Sequence, residues 1–173
     1  MESQMASAQG LSQLDQDAFV ATLEGVFEHS PWVAQRAWLQ RPFATREALL
    51  TTLCSVVGQA SREEQMKLVC AHPELAGKAA VRGELTEEST REQAGARLDA
   101  CTPQEFARLQ ELNAAYREKF GFPFIIAVRG LDRTQIIEQF GARLANDTEA
   151  EFQEALRQID KIAALRLQER IEE

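Results

Sequence analysis

Apolar residues recur along this chain at spacings of three and four and almost nowhere in strict alternation, so helices dominate the expected structure. Phe19, Leu23, Val26 and Phe27 lay an apolar stripe on a first helix. It should stop near His29-Ser30-Pro31, because proline disfavours α geometry in the residue before it. A second helix follows Arg41-Pro42, capped by Thr45, with Leu49, Leu50, Leu53, Val56 and Val57 facing inward and Gly58 near its end. Ser61-x-x-Glu64 has the capping-box form, and a third helix runs from there toward Ala71. Thr102-Pro103-Gln104-Glu105 stacks a cap, a first-turn proline and a box glutamate ahead of Phe106, Leu109, Leu112, Asn113, Tyr116 and Phe120, and Gly121 ends that helix. Asp132-x-x-Gln135 opens another over Ile136, Ile137, Phe140 and Leu144, and Thr148-x-x-Glu151 opens the last, which runs to the C-terminus. The pattern predicts an all-α fold: a single-domain multi-helix bundle over residues 12–173 behind a flexible N-terminal tail, residues 1–11.

Two stretches depart from a plain bundle. Ala71–Thr86 contains Pro73, Gly77 and Gly83 and is too broken for one long helix, so it should form a loop or short helical turns. Phe122–Val128 (FPFIIAV) is apolar, aromatic and β-branched and reads as a buried extended segment with no partner strand. Its backbone N–H and C=O groups then need another partner: a helix end, water or a ligand.

Composition narrows the function. The chain has 173 residues, 45% hydrophobic and 27% charged, enough for one domain with a real core. A net charge of −8 repels phosphodiester backbones, and Arg62, Lys67, Lys78, Arg82 and Arg91 are scattered among glutamates, so no nucleic-acid partner is expected. The longest apolar run, Phe124–Val128, is far short of a bilayer span, and no membrane partner is expected. Cys54, Cys70 and Cys101 are odd in number and widely spaced, and the N-terminal segment does not read as a secretory signal, so the cytoplasm is the expected location.

Several catalytic machines are missing from the sequence: G-x-G-x-x-G, the P-loop, H-E-x-x-H and G-x-S-x-G. His29 and His72 are the only histidines, and no carboxylates or cysteines have ligand spacing, so no metal is expected. Catalysis would then fall to acid–base groups. His72 precedes a proline at the end of a helix, where an imidazole can be presented to a cleft; it can equally be a surface or capping residue. Ser89-Thr90-Arg91-Glu92-Gln93 reads as a capping box from Ser89 to Glu92, or as a helix start that holds a polar ligand. In the last helix Phe152, Ala155, Leu156, Ile159, Ile162, Ala163 and Leu167 form one face, with Arg166 near its middle. A guanidinium there must snorkel, pair with a carboxylate, or line a polar pocket. Asn113 poses the same question more weakly, as a buried amide that ties down backbone.

Four blocks together resemble the 2-oxo-4-hydroxy-4-carboxy-5-ureidoimidazoline (OHCU) decarboxylase family of urate degradation. They are Glu28-His29-Ser30-Pro31-Trp32-Val33-Ala34; Ala71-His72-Pro73-Glu74-Leu75-Ala76-Gly77; Ser89 through Glu92-Gln93 and Gly95; and Leu112-Asn113 through Tyr116 to Lys119-Phe120-Gly121-Phe122-Pro123-Phe124. The likeness runs from about residue 12 to 168. It implies an all-helical, cofactor-free decarboxylase, a homodimer, that turns OHCU into (S)-allantoin and carbon dioxide. The residues it implies as catalytic are His72, Glu92 and Arg166. Pro73, Ser89, Glu92, Gln93, the segment Phe124, Ile125, Ile126, Ala127 and Val128, and Arg166 would contact the substrate. Two other readings stand beside this one: a non-catalytic helical interaction module, and a lyase for a related ureido acid.

Overall fold

The computed structural model describes residues 6–76 and 84–173, and every helix in it but one begins where a short polar side chain takes up an unpaired backbone N–H. The order is α1 (Ala8–Leu11), α2 (Gln16–Thr22), α3 (Pro31–Trp38), α4 (Arg46–Gln59), α5 (Arg62–Ala71), α6 (Glu87–Gly95), a 3-10 turn (Leu98–Ala100), α7 (Pro103–Phe120), α8 (Arg133–Arg143) and α9 (Thr148–Gln168). Among the described residues there is no strand, only an isolated bridge between Ala6 and Ile171. No described helix is long and apolar enough to cross a membrane. The chain divides into two compact units, Met1–Leu68 with Asp160–Glu173, and Val69–Ile159. The chain passes between the units inside α5 and α9, where no linker composition marks the boundary.

In the first unit, Phe19, Leu23, Val26 and Phe27 are buried as their spacing requires, yet α2 ends at Thr22. Pro31 then opens α3 rather than closing the helix before it, since its missing N–H is no loss at a first helical position. Residues 6–11 also differ from the expected tail. Ser7 caps α1, Ala8 and Leu11 are buried, and the Glu172 N–H donates to the Ala6 carbonyl at 2.9 Å. A one-turn helix shows too few apolar positions for periodicity to register. The Ser61 and Glu64 box is present, with both bonds 3.1 Å long. Glu64 also accepts from Arg36, and that bond is the first reason its carboxyl is held down at about 2.

In the second unit, Thr102 and Glu105 form the expected capping box of α7, and Gly121 closes the helix at φ 80°, a left-handed geometry that glycine adopts at little cost. Leu109, Leu112, Asn113, Tyr116 and Phe120 are buried; Phe106, on the first turn, is exposed. Tyr116 lies among the rings of Phe120, Phe122, Phe124 and Phe140, with centroids 4.5 to 5.8 Å away. Its hydroxyl donates to Glu151, which is 0% exposed. Burial, then the Glu151 carboxylate, pushes this phenol up beyond its usual range. The expected Thr148-to-Glu151 start of α9 is therefore corrected. Asp147 caps the helix by accepting from the Ala150 N–H at 2.7 Å, and Glu151 turns inward to pair with Arg143 at 2.9 Å. The expected turns of residues 77–83 lie outside the described residues.

Removing one side of a buried ion pair leaves the other charge uncompensated, which costs about 3–5 kcal/mol. We expect Glu151→Ala to lower the unfolding free energy in urea at pH 7 by that amount, and a loss below about 1 kcal/mol, typical of an exposed pair, would contradict the buried network.

Candidate active site

The start of α6 decides between the two readings of Ser89. Thr86 is the cap: its hydroxyl accepts from the Ser89 N–H at 3.2 Å, and Glu87 and Glu88 occupy the first turn. The Ser89-to-Glu92 capping box is thus corrected, because the helix begins one turn earlier and Ser89 is its third residue. Both Ser89 and Gln93, one turn apart on one face, are buried, and Glu92 is half-buried. A helix N-terminus with buried polar side chains favours a polar or anionic group.

His72 follows the last residue of α5 and is 6% exposed, so it is neither a surface histidine nor a solvated cap. Proline restricts the residue before it to extended geometry, which fixes the direction in which the chain leaves His72. The turn beyond is gripped on three sides. The Ala76 N–H donates to Gln93 Oε1 at 3.0 Å, Gln110 Nε2 donates to the Ala76 carbonyl at 2.7 Å, and Asn113 Nδ2 donates to the Leu75 carbonyl at 3.0 Å. Ala76 itself sits at φ 51°, a left-handed conformation that costs an alanine roughly 1–2 kcal/mol. The histidine block and the S-x-x-E-Q block therefore meet through the Gln93 amide.

Asn113 is 3% exposed, and its Oδ1 is buried without a hydrogen bond. Flipping the amide would set two oxygens against each other at Leu75, so the assignment stands. One amide bond contributes about 0.5–1.5 kcal/mol and an orphaned buried acceptor costs about 1–3 kcal/mol, so Asn113 does not stabilise the fold on balance. The expectation of an amide that ties down backbone holds for Asn113. Gln110 was missed, although a polar residue three positions before Asn113 on the same helix face was a usable signal.

Phe124–Val128 has no regular secondary structure; the Val128 carbonyl accepts from the Leu131 N–H at 3.0 Å, and side chains supply two further backbone partners. Arg143 Nη1 donates to the Ile125 carbonyl at 2.6 Å, while Gln158 Oε1 accepts from the Ala127 N–H at 2.9 Å. Gln158 is held in turn by Glu154 at 2.8 Å. The Phe124 ring stacks on Phe140 with centroids 3.8 Å apart, and the Arg143 guanidinium lies over Phe124 at 4.3 Å. Phe124, Ile125, Ile126 and Val128 are buried and Ala127 is half-buried, so backbone is what this segment can offer a ligand. Sequence reasoning missed Arg143 and Gln158, whose roles depend on a segment with no strand to pair with.

Arg166 belongs to the first unit and takes the second of its three fates. It is 2% exposed, with Nη2 2.9 Å from Glu28 Oε1 and Nη1 2.8 Å from the Gly25 carbonyl; Glu28 is 1% exposed. Glu28 lies in the quoted Glu28-His29-Ser30-Pro31-Trp32-Val33-Ala34 block but was given no role there. His29, at φ 47°, has a side chain 69% exposed.

Two of the three thiols are held toward the neutral form. Burial, then Asp160, pushes Cys54 up to about 12, and burial also raises Cys70. Among the described residues no three His, Cys, Asp or Glu side chains gather as metal ligands. The second unit thus presents a buried imidazole next to a firmly held turn that Gln93 ties to the polar face of α6, which is equipment for moving a proton on a small polar molecule.

The OHCU decarboxylase family model matches residues 12–168. A 2-oxo-4-hydroxy-4-carboxy-5-ureidoimidazoline decarboxylase of Haloferax volcanii is 41% identical over 162 residues, 94% of this chain and 94% of that protein. Its counterpart in Halalkalicoccus jeotgali is 40% identical over 163 residues, 94% of this chain and 90% of that one. The crystal structure of an (S)-allantoin synthase superposes with a TM-score of 0.77 at 29% identity, covering 96% of this chain, which spans 54% of that longer one. With its motifs meeting at Gln93 and a family model covering nearly its whole length, this chain belongs to the OHCU decarboxylase family.

Proposed function

We propose that this chain removes the carboxyl group of OHCU as carbon dioxide and leaves (S)-allantoin, in urate degradation and without a cofactor. The observation that carries the reading is the Ala76-to-Gln93 hydrogen bond, which joins the histidine turn to the polar face of α6 in a chain of this family. Breaking the carbon–carboxyl bond leaves an electron pair on the ring. The substrate's own conjugated C=N and carbonyl system accepts that pair, so no pyridoxal phosphate or thiamine is required.

His72 in this reading is the general acid/base. It gives one proton to one face of the carbanionic centre and recovers it from solvent, and delivery to a single face yields a single enantiomer. Pro73 contacts the substrate beside it. Ser89 and Glu92 accept from ring and ureido N–H groups, and the NH₂ end of Gln93 donates to a substrate oxygen. The backbone of Phe124–Val128 completes the contacts. Arg166, already balanced by Glu28, supplies directed N–H donors to an anionic substrate oxygen rather than a full unshielded charge. Those bonds speed the reaction only as far as they strengthen in the transition state. The homodimeric state and cytoplasmic location are part of the same proposal and rest on the family resemblance and the cysteine pattern.

OHCU decays unaided to racemic allantoin, so the test generates it in situ and follows disappearance and optical activity together. With this chain present, we expect faster loss and a product of one hand; racemic product at the unaided rate would overturn the proposal. His72→Asn should lower kcat by roughly 10²–10⁴-fold with thermal stability retained, and a near-normal rate would remove the acid/base role. Arg166→Lys keeps the charge and loses the planar fork, and we expect turnover to fall roughly tenfold or more, the worth of a charged hydrogen bond. Equal rates in the two proteins would contradict a positioned fork.

A further inference from the structure

We propose that Asn113, with Gln110 beside it on α7, is a positioning residue that sets the His72 imidazole by holding the Leu75–Ala76 turn in its left-handed conformation; this rests on the acid/base role given to His72 above. The two amides lie three residues apart on one face of α7 and take the two successive carbonyls of the turn, Leu75 by Asn113 and Ala76 by Gln110. Gln93 takes the Ala76 N–H from α6. Ala76 is an L-residue at φ 51°, a conformation it does not favour by itself, so the surroundings impose it.

The choice of residue at position 113 points the same way. Its neighbours Leu109, Leu112 and Tyr116 are buried, and Asn113 Oδ1 is a buried acceptor without a hydrogen bond. A leucine there would exchange that orphaned atom for an unpaired Leu75 carbonyl, so stability alone gives little reason for an asparagine. Its one bond goes to the turn that carries the histidine. Between that turn and the imidazole stand only Glu74, tied to Arg117 at 3.2 Å, and Pro73, with its fixed φ, so a shift at Leu75 passes directly to His72.

The test uses the full chain and three readouts: steady-state kinetics, thermal unfolding, and the imidazole resonances of His72 by NMR. In Asn113→Leu we expect kcat to fall roughly 10- to 100-fold, the cost of a misplacement of about 1 Å, with KM changed less than about threefold and the melting temperature nearly unchanged. The His72 resonances should shift. Adding Ala76→Gly, which adopts a positive φ readily, should restore much of the lost kcat because the turn then needs less holding. Gln110→Leu, at the half-buried position, should repeat the pattern more weakly and serves if Asn113→Leu fails to fold. Wild-type kcat and unshifted His72 resonances in the leucine variants would overturn the proposal, as would a loss in kcat that tracks unfolding and ignores Ala76→Gly. A wild-type chain with no turnover, but with His72 resonances that move in Asn113→Leu, would sink the decarboxylase reading and leave the positioning role standing.

Discussion

The hydrogen bond from the Ala76 N–H to Gln93 Oε1 is the contact on which the chemistry proposed for the second unit depends. It ties the loop that carries the imidazole to the helix that carries the polar side chains. A proton-transfer group must be held within about 0.5 Å of its working position, and loops left to themselves do not manage that. Here three amide side chains from α6 and α7 bind consecutive backbone groups of one turn, at distances of 2.7 to 3.0 Å, and hold an alanine in a conformation it would otherwise leave. Rigidity at the histidine is thus made from hydrogen bonds to backbone rather than from regular secondary structure.

The same device recurs within each unit. In the second, Arg143 pairs with the fully buried Glu151, donates to the Ile125 carbonyl and covers the Phe124 ring, so one guanidinium serves a segment that has no neighbouring strand. In the first, Arg166 pairs with Glu28 and donates to the Gly25 carbonyl. Each of these two cations is paired with a carboxylate and donates to a backbone carbonyl, which limits the desolvation penalty that would otherwise make an interior arginine prohibitive. Glutamine and asparagine do the equivalent work where no charge is wanted.

What was legible in the sequence follows from the range of the interactions involved. Caps and boxes act over three residues, so Thr45, Ser61, Thr102 and Asp132 were readable and the helices they start are where they were expected. Ser89 failed that test because Thr86 competes for the same helix start, and Thr148 failed it because Asp147 is the better cap. Both errors hid chemistry: Ser89 is a buried residue of the helix rather than its cap, and Glu151 is a buried ion-pair partner rather than a box residue. Arg166 and Asn113 stood out because a polar group on an apolar face must be explained. Their partners, Glu28 and the Leu75 carbonyl, lie 138 and 38 residues away and left no local trace. The division into two units was invisible for a related reason, since helix-forming sequence runs straight through both boundaries.

The most direct measurement is an NMR titration of the full chain with (S)-allantoin, the product of the proposed reaction. If the histidine turn, the α6 face and the extended segment form one binding site, saturable shifts should gather at the His72 imidazole, the Ser89 amide, the Gln93 side-chain NH₂ and the amides of residues 124–128. Shifts confined to other parts of the chain, with these resonances unmoved at saturating allantoin, would contradict the assignment of the site.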